Sequence, residues 1–226
     1  MNQVIYTLSS QIKENMTNKR KGGWQFWVED FGNYVIKTPK NKKEISDSVI
    51  NWLRYINKLE EHDKRVNNMV CDLKNSTRLI KKSKIPLSIL ADLEFLDNGK
   101  IKQKKVIVLE EEFQKLIKQK NLKQAKKLID QTIKLLIELW KYGLHEKTYK
   151  FYSNIGILNN NLFLIDPFEL TGDKKKIEKQ IKKKKWRNQV KYSKNSLKEL
   201  SLYFEKKMNE EMTFKRLNKL WKQNLK

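Results

Sequence analysis

In the stretch YSNIGILNNNLFLIDPFEL (residues 152–170), an asparagine and an aspartate stand twelve residues apart at the edges of two apolar runs. Ile155, Ile157 and Leu158 lead into the turn-forming Asn159, Asn160 and Asn161. A second run, 162–165, then stops at Asp166-Pro167. This pattern predicts two short strands joined by a polar turn. A hairpin would return the chain on itself and bring Asn154 and Asp166 to one end. An amide and a carboxylate held together there suit a divalent cation beside a phosphate. The structural alternative is that Asp166 ends a strand and Pro167 breaks it.

The elements that must carry this pair read as follows. Residues 23–38, GWQFWVEDFGNYVIKT, predict an antiparallel hairpin, 24–31 with 34–38, turning at Gly32-Asn33 and stopped by Pro39. Ile45, Val49, Trp52, Leu53, Ile56 and Leu59 predict a helix over 44–66, and Met69, Val70, Leu73 and Leu79 a second over 67–82. After Pro86, Asp97-Asn98-Gly99 marks a hairpin turn, and the run 106–109 suits a buried strand that empties into Glu110, Glu111 and Glu112. Ala125, Leu128, Ile129, Ile133, Leu136, Leu139 and Trp140 line one stripe of a helix over 122–142, with Gly143 as its cap. A basic stretch, GDKKKIEKQIKKKKW, follows the 152–170 hairpin, and helical patterns over 196–211 and 213–224 finish the chain. The fold class is α+β: a strand-rich lobe with a helical insertion over 1–112, then a helical lobe over 113–226 that holds the hairpin.

With 226 residues, 38% of them hydrophobic, and six Trp, the chain can bury a core. Fifty Lys and Arg against 26 Asp and Glu give a formal charge of +24, which attracts phosphates, nucleic acid or anionic membranes. The abundance of Asn, Lys and Ile is equally what an AT-rich genome produces. Cys71 is alone, so a disulfide framework is excluded, and His62 and His145 are too few for a Cys/His zinc cluster. No apolar run is long enough to span a membrane, and the first 21 residues lack the apolar stretch of a signal peptide, so a cytoplasmic location is expected.

The order of these features resembles the protein-kinase-like superfamily, in particular its small divergent bacterial branches of the lipopolysaccharide-core-kinase and PhoP-regulated types. The resemblance covers residues 22–170. YVIK (34–37) resembles the V-A-I-K strand, which implies that Lys37 contacts nucleotide phosphates. VIVLEEEF resembles the segment linking the two lobes and implies that Glu110, Glu111 and Glu112 supply backbone groups to an adenine. NIGI followed by LIDPF resembles the catalytic-loop Asn and the D-F-G Asp, implying that Asn154 and Asp166 bind Mg2+ beside ATP. The implied activity is phosphate transfer from ATP to a hydroxyl on a protein or a lipopolysaccharide-type sugar.

The pattern departs from the family in four places. Five residues before Asn154 stands Tyr149 rather than the Asp of H-R-D-x-x-x-x-N, which leaves Glu146, eight residues before, as the candidate base. Gly22-Gly23 and Gly32 do not form a G-x-G-x-x-G loop. Asp166 precedes Pro-Phe rather than Phe-Gly. The acid that would pair with Lys37 is open among Glu44, Asp47, Glu60 and Glu61, with the last two favoured. A pseudokinase that keeps the fold for binding or regulation is therefore a second reading. A third is nucleic-acid binding through residues 174–198, where lysines surround Trp186 and Tyr192; the same segment could lie on a membrane surface. Trp186, Trp221, Tyr203 and Phe204 are expected to pack the last helices. His145 is expected beside Glu146 in a loop, and Cys71 as a small core residue.

Overall fold

Aromatic and β-branched residues near Gly32 pair as expected. In the computed structural model, which describes residues 21–187 and 198–221, β1 (Lys21–Gly22), β2 (Phe26–Asp30) and β3 (Tyr34–Pro39) form consecutive antiparallel pairs. Expectations that rest on residues 1–20, on Tyr192 and on the outer ends of the last two helices lie outside the described residues. Gly32 takes φ 85°, a left-handed value that glycine adopts without steric cost. Later strands β4 (Glu94–Phe95) and β5 (Ile101–Lys104) complete a sheet of order β1-β2-β3-β5-β4. Their turn is the expected Asp97-Asn98-Gly99, with Asn98 and Gly99 both left-handed.

Two helices separate β3 from β4, α1 (Lys42–Tyr55) and α2 (His62–Lys82). Asn41 and Glu44 cap α1 reciprocally. The expected single helix over 44–66 ends at Tyr55, eleven residues early. Asn57 turns left-handed (φ 53°), and a 3-10 turn over Leu59–Glu61 leads into α2. Apolar spacing through Ile56 and Leu59 hides this break, because asparagine adopts the left-handed cap at little cost. A small core of Ile45, Val49, Leu53 and Val66 joins the two helices. Cys71 is exposed, contrary to the expectation of a core residue: it lies about 140° around α2 from the buried Val66.

The run 106–109 yields only β6 (Ile107–Val108), because Leu109 already starts α3 (Leu109–Lys118). Glu110, Glu111 and Glu112 occupy the first turn of α3, where the helix dipole favours carboxylates. The acidic triplet is thus a helix start, and residues 112 and 113 fall within one helix. α4 (Leu122–Glu138) is capped by Asn121 and runs into a 3-10 turn that Gly143 ends at φ 68°. Then follow β7 (His145–Glu146), the one-turn α5 (Phe151–Asn154), β8 (Ile155–Leu158), β9 (Asn161–Leu164) and β10 (Leu170–Thr171). α6 (Lys174–Lys182), α7 (Lys198–Glu211) and α8 (Phe214–Leu220) complete the described chain. No helix among the described residues is long and apolar enough to cross a membrane.

One main core runs from Phe26 in the sheet to Leu217 in α8. Phe26 meets Phe168 at 4.6 Å between ring centres, which locks the sheet onto the segment after Asp166. Trp186 and Phe204 are buried, with Tyr203 and Trp221 packed against the core. Gly156 on β8 faces Val106 and Ile107, and a Cβ there would overlap Val106 Cγ2 and lie 3.1 Å from the Ile107 carbonyl oxygen. Overpacking of this kind costs about 1–3 kcal/mol. Gly156→Ala should therefore lower the melting temperature by roughly 3–10 °C, at about 2–4 °C per kcal/mol. An unchanged melting curve would show that β6 gives way.

Candidate active site

The 152–170 hairpin forms, with Ile155 opposite Leu164 and the turn carried by left-handed Asn159 and Asn160. Its open end is drawn tight by one backbone oxygen. The Asn154 carbonyl accepts the Ile165 N–H at 2.8 Å and the Asp166 N–H at 3.2 Å. From the sheet, Lys37 Nζ donates to the Ile165 carbonyl at 2.6 Å. The structure therefore brings together Lys37, Asn154 and Asp166, three residues from two distant parts of the chain.

Each of the three is held in an unsettled state. Asn154 is 4% exposed, and its Nδ2 has no hydrogen-bond partner; its Oδ1 accepts from Ser153 Oγ at 3.2 Å. Asp166 Oδ1 is likewise enclosed without a partner. Burial raises the Asp166 pKa, with the Lys37 ammonium offsetting part of the rise; burial lowers the pKa of Lys37, with Asp166 opposing. Unpaired buried polar atoms cost free energy unless something completes them. A cation bound to phosphate would do so: Asp166 offers a carboxylate oxygen, and a half-turn of the Asn154 amide offers a second oxygen. Among the described residues, no group of three or more His, Cys, Asp or Glu could hold a metal by itself. Mg2+ fits here only with phosphate and water oxygens as further ligands, which is its usual habit.

These residues line a cavity of about 970 Å³ between the sheet, α2, the 147–154 loop and α6. Two strand pairings clamp its floor. β7 pairs with β10 before the loop and β8 with β9 after it, and the Lys147 N–H donates to the Glu169 carbonyl between them. Trp24 and Trp52 stack edge-to-face at 5.2 Å on the apolar side, and Arg65 lies 4.8 Å over the Trp52 ring.

Glu146 is buried and does not line the cavity. Its carboxylate accepts from the Thr148 N–H, the Thr148 hydroxyl and the Tyr149 N–H, so its oxygens tie the turn that starts the loop. Burial raises its pKa to about 7 despite these donors. His145 lies beside it, as expected, but deep in the core. Trp140 Nε1 donates to its Nδ1 at 3.1 Å, which leaves Nε2–H to donate to Gln180 Oε1 at 3.0 Å. Burial lowers its pKa to about 4. Gln180 Nε2 in turn donates to the Lys147 carbonyl, bolting α6 to the loop.

The acid that reaches the cavity from α2 is Asp72, which forms an ion pair with Lys147. Glu60 and Glu61 sit in the turn before α2, where Glu61 pairs with Lys58, and Glu44 accepts from Trp27 Nε1. None of these, nor Asp47, lines the cavity beside Lys37. Glu110, Glu111 and Glu112 are also outside its lining. Trp186 packs its ring 6.0 Å from Tyr149 and is buried, which removes it as a base-stacking surface.

Sequence reasoning missed Asp72, Lys147, Lys150 and Glu169, the last two paired at 3.1 Å. A signal was present on α2, where Arg65, Met69 and Asp72 recur at helical spacing on one edge. Set against known proteins, the chain matches no family model, no curated protein and no solved structure.

Proposed function

We propose that this is a divergent kinase-like protein that binds ATP with Mg2+ and transfers the terminal phosphoryl group to a hydroxyl acceptor. The observation that carries this reading is the convergence of Lys37, Asn154 and Asp166 with unpartnered buried polar atoms at one end of a large cavity. Asn154 and Asp166 would hold the metal, which when bound neutralises phosphate charge and orients the phosphates. Lys37, fixed on β3 by its bond to Ile165, would position phosphate oxygens. Trp24 and Trp52 offer flat apolar surface for the base, in place of the backbone groups expected from Glu110, Glu111 and Glu112.

In the transfer, the acceptor oxygen forms a bond to the terminal phosphorus as the bond from that phosphorus to the β,γ-bridging oxygen breaks. The bridging oxygen keeps the electron pair, and ADP leaves. With Glu146 enclosed, the hydroxyl proton passes to the transferred phosphoryl group and then to water. Phosphoryl transfer of this kind depends mainly on positioning and charge stabilisation, which Lys37, Lys147 and Lys150 in the cavity lining would supply.

Enclosure of Glu146 is the observation that favours the second reading, a pseudokinase that binds nucleotide without transfer. Release of labelled phosphate from ATP, to water or to the protein itself, separates the two. The kinase reading expects Mg2+-dependent release that Lys37→Met reduces by about 100-fold or more, in line with a lost charge-stabilising contact. Tight Mg2+-dependent binding with no release would leave the pseudokinase. The absence of both binding and release would overturn the site.

A further inference from the structure

The cavity carries more positive charge than a nucleotide can use. Its described lining holds eight cationic side chains and three carboxylates. Two of the carboxylates are in ion pairs, Asp72 with Lys147 and Glu169 with Lys150, while Asp166 feels the Lys37 charge without an ion-pair contact. Arg65, Lys176, Lys179, Lys183 and Lys185 remain with no acid lining the cavity to face them. Among the described residues, Lys176 pairs with Asp173 at 4.0 Å, outside the lining.

Three of these cations form a stripe. Lys176 and Lys179 on α6 and Lys183 at its C-cap follow helical spacing and line the cavity, while Ile177 and Ile181 enter the core. Basic residues late in a helix favour its dipole and commonly face only water. Here the helix is fixed against the loop: Gln180, which also lines the cavity, holds both His145 and the Lys147 carbonyl. A triphosphate with its Mg2+ carries about two net negative charges, against a surplus of five positive ones in the cavity. Lys176, Lys179, Lys183 and Lys185 are exposed at the mouth of the cavity, where water screens them, so they attract a second anion without requiring one.

We propose that the α6 wall is a second anion subsite, separate from the phosphate end at Lys37. It takes a phosphate monoester carried by the acceptor, so the acceptor is a hydroxyl compound that is already phosphorylated, a sugar or polyol phosphate. The identity of that compound as an acceptor rests on the kinase reading above; the anion subsite does not. With its phosphate on Lys176, Lys179 and Lys183, such a compound would present a free hydroxyl toward the loop at Lys147 and Lys150.

The test uses calorimetric titration of glucose 6-phosphate, glucose and inorganic phosphate at fixed ionic strength, with and without ADP and Mg2+. Glucose 6-phosphate should bind more tightly than either of the other two, and should still bind when ADP and Mg2+ are present. Reversing two wall charges, Lys179→Glu with Lys183→Glu, should weaken its binding by about tenfold or more while leaving ADP binding within about twofold. The same reversal at the exposed α4 lysines, Lys123→Glu with Lys127→Glu, should change neither.

If the α4 reversal weakens glucose 6-phosphate equally, the effect is general surface charge and the subsite is overturned. Competition between glucose 6-phosphate and ADP would mean one anion site, not two. Inorganic phosphate binding as tightly as the ester would overturn the assignment to an acceptor. Loss of ADP binding in every protein, with glucose 6-phosphate still sensitive to the wall lysines, would sink the nucleotide reading and leave the subsite standing.

Discussion

Replacing Asp166 by Asn should weaken Mg2+-dependent ATP binding by roughly 10–150-fold and leave the protein folded. Asp166 Oδ1 is enclosed without a protein partner, so the carboxylate contributes little to the fold that an amide of the same shape would lose. Its charge is another matter. A contact to an ionised group is worth about 1.5–3 kcal/mol, which is the stated range of affinity. Lys37 keeps its bond to the Ile165 carbonyl in the variant, so the floor of the cavity retains its geometry. Loss of the negative partner lets burial lower the Lys37 pKa further, and a less charged Lys37 weakens phosphate binding in the same direction. The check is a calorimetric dissociation constant beside a melting curve. An unchanged constant would remove Asp166 from the site, and a collapsed melting curve would make it a structural residue.

Replacing Glu146 by Ala should instead act on stability, lowering the melting temperature by roughly 6–12 °C. Three donors at the start of the loop would lose their acceptor: the Thr148 N–H and hydroxyl and the Tyr149 N–H. Orphaned buried donors cost about 1–3 kcal/mol each. Part of that cost is offset, because burial already penalises the charged carboxylate. A net of about 3 kcal/mol gives the stated shift at about 2–4 °C per kcal/mol. A chemical base at this position would behave otherwise, with activity lost and the melting temperature kept.

The pH dependence gives Glu146 a second signature. Its folded pKa of about 7 lies above the ordinary 4.5, so the folded state keeps a proton that the unfolded chain releases. The stability this contributes is full below about pH 4.5 and is lost as pH rises through about 7. His145, with its pKa lowered to about 4, works in the opposite sense and adds stability as pH rises from about 4 to 6.5. The two largely offset one another in the native chain. In Glu146→Gln only the histidine effect remains, so its melting temperature should climb more steeply between pH 4.5 and 6.5. Parallel curves for the two proteins would contradict the buried placement.

What the sequence made legible was local. Gly32-Asn33, Asp97-Asn98-Gly99 and Asn159–Asn160 each sit between apolar runs and each makes its turn, because left-handed backbone is cheap for these residues. The hairpin logic also brought Asn154 to Asp166, since two strands of matched length must return to one end. Lys37 joins them across 128 residues, and only the resemblance to kinases suggested it. Other features were hidden by competition between neighbours. Nothing local shows that Glu146 turns inward to hold Thr148 and Tyr149, or that Lys147 beside it turns outward to meet Asp72, 75 residues away. The acidic triplet misled for a related reason: three Glu favour a helix start as readily as a ligand-facing linker.

Thermal unfolding with ATP, with and without Mg2+, at fixed ionic strength probes the proposed nucleotide site at Lys37, Asn154 and Asp166. A ligand that binds only the folded chain stabilises it by about 2.7 kcal/mol at a hundredfold excess over its dissociation constant, a rise of roughly 5–10 °C at this size. The site predicts that rise with ATP and Mg2+ together, smaller rises with ATP alone or with tripolyphosphate, and its loss in Lys37→Met and Asp166→Asn. An equal rise with tripolyphosphate in the absence of Mg2+, retained in both variants, would mean that a surface of charge +24 attracts any polyanion, and would contradict the site.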